Sequence, residues 1–192
     1  MASVKYRFFI ALLPPPAIQD YVNQLKQEFA DRYDSRSAQR SPPHITLQPP
    51  FAWSVEQVSV LEQYLSNFAN GRESVPVTLS GFGAFPPRVI YINVLKTQAL
   101  LTLQTDLMTD LEGTLGIVDP ISKTRTFSPH MTVAFRDLTR QNFMVAWSEF
   151  QQRQLQFEFT ATKLTLLIHD GRRWNVKSNS EFGIENSEFP HT

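Results

Sequence analysis

The chain contains no cysteine in its 192 residues and carries no excess charge, 18 Lys and Arg standing against 18 Asp and Glu. Without thiols there can be neither disulfides nor thiolate metal ligands, and nothing calls for an oxidising compartment; a cytoplasmic setting is expected. Zero net charge argues against broad electrostatic adhesion to nucleic-acid backbones, which needs clustered excess Lys and Arg, but leaves room for a pocket that grips one phosphate. Long apolar runs are missing too. The stretch Phe8 to Leu13 ends in Pro14-Pro15-Pro16. It is too short for a membrane span and has no small-residue cleavage site after it, so neither a membrane anchor nor a leader is expected.

What the chain does have is a large stock of aromatics, including 15 Phe, enough for a real core. Its length suits a single domain, with room for two lobes around a shared cleft. We expect that domain over residues 1–177 and a polar, frayed tail over 178–192.

Two short segments repeat each other. Ser41-Pro42-Pro43-His44-Ile45-Thr46-Leu47 and Ser128-Pro129-His130-Met131-Thr132-Val133 both place Ser-Pro before His-x-Thr in an apolar stretch. On a strand, His44 and Thr46 share one face and Ile45 and Leu47 the other; His130 and Thr132 oppose Met131 and Val133 in the same way. Pro43 and Pro129 suit the start of such strands. Taken singly, each histidine reads as a polar residue at a strand edge. Taken together, two imidazoles and two hydroxyls would converge wherever the strands meet, an arrangement suited to acid–base work on a phosphate.

The surrounding elements support that meeting. Phe8–Leu13 reads as a buried strand and Ala17–Ala30 as a helix, with Ile18, Tyr21, Val22, Leu25 and Phe29 at helical spacing. The first His-x-Thr strand is expected to stop at Pro49-Pro50, before a helix near 55–70 that ends at Gly71. Strands follow at Val75–Gly81 and Val89–Leu95 around a turn-rich Gly81–Pro87, then a helix at Thr97–Leu111 and the second His-x-Thr strand. Strand, helix, His-x-Thr strand therefore occurs twice, which suggests a pseudo-two-fold. A helix near Thr139–Gln151, one long strand from Gln154 to His169 and a two-residue hairpin turn at Asp170-Gly171 complete the reading.

These motifs, with Arg7-Phe8-Phe9-Ile10-Ala11-Leu12, Gly81-Phe82-Gly83-Ala84-Phe85-Pro86 and Arg125-Thr126-Phe127 before Ser128, resemble the 2H phosphoesterase superfamily. The branch most similar is the bacterial 2′-5′ RNA ligase, or RNA 2′,3′-cyclic phosphodiesterase, family. The resemblance implies an α+β fold, bilobal and duplicated, with two antiparallel sheets lining a central cleft and helices on the outer faces. It also implies activity without a metal or other cofactor, either hydrolysing 2′,3′-cyclic phosphates to 2′-phosphates or joining and cleaving 2′-5′ linkages in RNA. Met131 where an isoleucine is usual and the extra proline before His44 are its departures.

On this reading His44 and His130 are the acid–base pair, since an imidazole with a pKa near 6.5 serves in either form at neutral pH. Thr46 and Thr132 would donate hydrogen bonds to the non-bridging oxygens. Which histidine is base and which acid is left open. Arg88 and Arg125 either steady the phosphate or are ordinary surface arginines. Phe51, Phe85 and Tyr91 either stack on a base or pack the core. Arg136 is expected on the His130 face, at the cleft rim. The expected partner is an RNA 2′,3′-cyclic phosphate end or a small cyclic nucleotide, bound by a monomer. Ligation through the same site and a non-catalytic RNA- or nucleotide-binding module are the alternatives.

Overall fold

The opening apolar run forms β1 (Lys5–Leu12), whose last five residues are all buried, as befits a strand covered on both faces. A computed structural model describes residues 4–183. Pro16 begins α1 (Pro16–Tyr33), where its missing N–H costs nothing, and Ile18, Val22, Leu25 and Phe29 form its buried stripe. The helix stops at Asp34, which takes a left-handed conformation (φ 54°) and donates its N–H to the Phe29 carbonyl.

The remaining elements are β2 (Ile45–Ser54), α2 (Val58–Asn70), β3 (Val75–Phe85), β4 (Val89–Val94), α3 (Gln98–Leu115), a short α4 (Pro120–Thr124), β5 (His130–Ala134), α5 (Arg140–Phe150), β6 (Gln156–Ala161), β7 (Lys163–His169) and β8 (Trp174–Glu181). They build two four-stranded antiparallel sheets in the orders β2-β1-β7-β8 and β5-β4-β3-β6. The fold is the expected bilobal α+β arrangement. In each half a central strand, β1 or β4, pairs with a His-x-Thr strand, β2 or β5, that forms the sheet edge. One apolar core joins the halves: Phe150 of α5 packs on Phe29 of α1 (4.6 Å between centroids) and edge-on to Phe82 of β3 (5.1 Å).

Four expectations need correction. The first His-x-Thr strand does not stop at Pro49-Pro50. The register against β1 slips between Phe8↔Phe51 and Ile10↔Gln48, so the prolines sit in a bulge of an edge strand, where absent N–H groups break no ladder. Likewise β3 runs through Gly81 (φ +66°) to Phe85, leaving only Pro86 to Arg88 as turn. The supposed long strand 154–169 is two strands in different sheets. Its alternating part is β6, exposed on one side, and its continuously apolar part is β7, buried between β1 and β8. The Asp170-Gly171 hairpin has a four-residue connection, because His169 pairs with Trp174 and the Asp170 side chain accepts the N–H groups of Arg172 and Arg173.

The boundary expected at 177 falls inside β8, and Phe182 is buried. The last part of the expected tail, 184–192, lies outside the described residues.

Candidate active site

The two edge strands β2 and β5 touch, and this seam between the sheets gathers both motifs. Burial alternates as pleating requires. Ile45, Leu47, Met131 and Val133 are buried while His44, Thr46, His130 and Thr132 are half-exposed. Both histidines are wired alike. His44 Nδ1–H donates to the Pro42 carbonyl at 2.7 Å, and His130 Nδ1–H donates to the Ser128 carbonyl at 2.7 Å. A carbonyl can only accept, so Nδ1 carries the hydrogen in each ring and the neutral imidazole keeps its lone pair on Nε2. The prolines explain the wiring: Pro43 and Pro129, both buried, fix the backbone between each histidine and the carbonyl two residues before it.

Burial pushes the His44 imidazole down to about 4, against the raising effect of the Pro42 carbonyl, and the charges of Lys26 and His130 lower it further. Burial lowers His130 as well. Ring contacts do the desolvating: Phe9 lies 4.7 Å from His44, and Phe85 and Tyr91 each lie 5.1 Å from His130. Tyr91 reaches this position because Gly83 opposite it has no side chain; a Cβ there would collide with the Tyr91 ring. Both imidazoles are thus neutral in the empty cleft, and an arriving phosphate anion favours protonation of one of them.

Lys26 of α1 is a member of this environment that sequence reasoning missed, since it looks like one more polar helix residue. Its buried ammonium donates to the Ser41 carbonyl at 2.8 Å, steadying the segment that carries Pro42, and burial pushes it down to about 7. The unfolded chain therefore binds more protons at Lys26 between pH 7 and 10.5, so its burial opposes folding most below pH 7 and progressively less as pH rises. Lys26→Met, which keeps the aliphatic stem, is expected to raise the urea midpoint at pH 6 by more than at pH 9. An equal shift at both values would contradict this electrostatic account.

Two cavities flank the seam, and Thr46 lines both. The larger, about 630 Å³, contains His130, Phe85, Phe127 and Arg125 with residues of α3 and α4. The smaller, about 200 Å³, contains His44, Thr132, Arg7, Arg40, Arg136, His169 and Trp174. The His/Thr set is therefore brought together, with Phe85 and Arg125 on one side and Arg136 on the other, while Tyr91 stands behind His130. Arg136 does not continue β5 as expected; it follows the strand in a left-handed conformation (φ 62°) and still reaches the rim. Arg88 lies exposed in the turn after β3, and Phe51 packs on Phe8 (6.3 Å); neither lines either of these two cavities.

Arg7, Arg40 and Trp174 were missed because no spacing links them to the motifs. His169 does serve the turn, accepting the Gly171 N–H at Nδ1, and lines the small cavity as well. Trp53 and Trp147 pack against the core, Trp53 also donating its Nε1–H to the Gln57 carbonyl. Among the described residues no three His, Cys, Asp or Glu side chains gather as a metal site would require, and no helix is long and apolar enough to cross a membrane.

Solved structures share this two-sheet fold. Escherichia coli LigT in complex with 3′-AMP superposes with a TM-score of 0.67 at 20% identity, covering 94% of this chain and all of that one. TT0787 of Thermus thermophilus gives 0.66 at 18% identity over 92% and 98%. A Geobacillus kaustophilus relative named "Putative phosphoesterase GK0864" is 30% identical over 174 residues, 88% of this chain and 92% of its own. The family model described as the 2′-5′ RNA ligase superfamily matches residues 14–173, and the chain belongs to that family of 2H phosphoesterases.

Proposed function

We propose that the chain hydrolyses 2′,3′-cyclic phosphates of RNA ends or nucleotides to 2′-phosphates by acid–base catalysis from His44 and His130, without a metal. The observation that carries this reading is the matched wiring of the two rings, which leaves two Nε2 atoms available at one seam. One Nε2 takes a proton from the attacking water. The other, protonated when the phosphate anion arrives, passes its proton to the ribose 3′-oxygen as the bond from phosphorus to that oxygen breaks. The product is a 2′-phosphate and a free 3′-hydroxyl. The Thr46 and Thr132 hydroxyls donate to the non-bridging oxygens, where charge builds in the transition state.

Arg125 and Arg136, one in each cavity, add positive charge on either side of the phosphate. The larger cavity, within the size range of small-molecule sites and walled in part by Phe85, Met108 and Phe127, suits the terminal nucleoside. That LigT, a protein of the same fold, takes 3′-AMP supports a nucleotide here. Turnover of 2′,3′-cyclic AMP is expected to be the same with and without a chelator. Loss of turnover on chelation would overturn the metal-free reading.

A further inference from the structure

Three residues before His44 stands Ser41, whose carbonyl is held by Lys26; three residues before His130 stands Phe127, which packs against the core. The two rings are wired alike but anchored differently. On the second strand an apolar side chain suffices as the anchor. On the first, the anchor is a lysine only 2% exposed, set on the buried stripe of α1 with Val22 and Phe29.

That choice works against the fold. An ammonium taken out of water without a counter-ion disfavours folding, and an apolar side chain of similar volume is often neutral or stabilising in such a place. Among the described residues Lys26 forms no ion pair, and its hydrogen bond goes to Ser41.

The segment between α1 and β2 that Lys26 holds is pinned at its other end as well. There the Asp137 carboxylate accepts the Ser35 hydroxyl and the N–H groups of Arg36 and Ser37. Fixed at 35–37 and again at Ser41, the segment delivers Pro42 to one place, and the Pro42 carbonyl is the group that receives the His44 Nδ1–H. Pro42 and Pro43 transmit the constraint, because a fixed φ at both leaves little slack between Ser41 and His44. The ammonium acts on the ring through space too. Its charge opposes protonation of His44, whereas burial and the Ser128 carbonyl are what act on His130.

We infer that Lys26 is a positioning residue for the reaction: by holding Ser41 and Pro42 it fixes His44 in the tautomer and orientation that present Nε2 at the seam. This rests on the function proposed above. It accounts for a charge kept on a helix face where an apolar side chain would be the stabilising choice.

The test compares Lys26→Met with the wild type at pH 6, by steady-state turnover of 2′,3′-cyclic AMP and by long-range ¹H–¹⁵N NMR of the imidazoles, which distinguishes Nδ1–H from Nε2–H. The methionine variant, expected to be the more stable protein, should lose about 10–100-fold in kcat with KM changed by less than about threefold, the effect of misplacing a reacting group while leaving the binding surface intact. Misfolding cannot explain a loss that accompanies a gain in stability. In this variant His44 should show both tautomers, while His130 keeps Nδ1–H as in the wild type. Lys26→Arg, which restores a cation able to donate to the Ser41 carbonyl, should recover most of the rate and the single His44 tautomer. A methionine variant that keeps its kcat, or one that loses activity while His44 stays wholly in the Nδ1–H form, would overturn the positioning role. Absence of turnover in the wild type would instead refute the proposed function, and the His44 tautomer in the methionine variant would still decide whether Lys26 positions the ring.

Discussion

His44→Ala and His130→Ala are each expected to lower kcat for a 2′,3′-cyclic nucleotide by about 10²–10⁴-fold, the range general acid–base groups supply. Either loss removes one of two proton transfers that the reaction needs on opposite sides of phosphorus, so neither ring can cover for the other. The double variant should be little worse than the singles, because groups that act as a unit do not lose activity additively. Folding gives an independent control. His44 is half-buried and neutral, its pKa about 4 against 6.5 when unfolded, so the unfolded chain binds more protons between these values and stability rises with pH across that window. His44→Ala removes this dependence, up to about 1.4 kcal/mol per pH unit, and its activity loss at pH 5 cannot then be ascribed to acid unfolding. Near-full activity in either single variant would contradict the two-histidine mechanism.

Thr46→Val and Thr132→Val are expected to cost about 10²–10³-fold in kcat each, the effect of deleting one preorganised donor to a developing oxyanion. Valine keeps the shape and the strand preference of threonine, so the loss isolates the hydroxyl. The two should differ in a further respect. Thr46 borders both cavities, whereas Thr132 lines only the smaller one, so Thr46→Val should also disturb binding of the nucleoside portion. Thr→Ser at either position retains the donor and should recover most of the rate. If valine lost less than about threefold at both sites, the hydroxyls would not be stabilising the transition state.

Much of the site was legible because strand geometry is periodic. From His44-Ile45-Thr46 and His130-Met131-Thr132 the shared faces follow from the pleat, and the two strand, helix, strand frames bring the edges to one seam. Their wiring was not legible, because a ring bonded to a carbonyl two residues earlier depends on the path that Pro43 and Pro129 impose. Prolines also misled: Pro49-Pro50 signalled an end, yet an edge strand absorbs them in a bulge. The strand from Gln154 to His169 hid a change of sheet that its shift from alternating to continuous apolar residues marks. Lys26 reaches the segment before His44, and Arg7 and Arg40 reach the cleft, from separate elements that no spacing in the sequence links to the motifs.

The most direct measurement of the central claim is phosphorus NMR of the product formed from 2′,3′-cyclic AMP in ¹⁸O-labelled water with a chelator present. Water activated by one histidine and a 3′-oxygen protonated by the other predict 2′-AMP carrying a single ¹⁸O on phosphorus. Formation of 3′-AMP, or no turnover by the wild type, would contradict it.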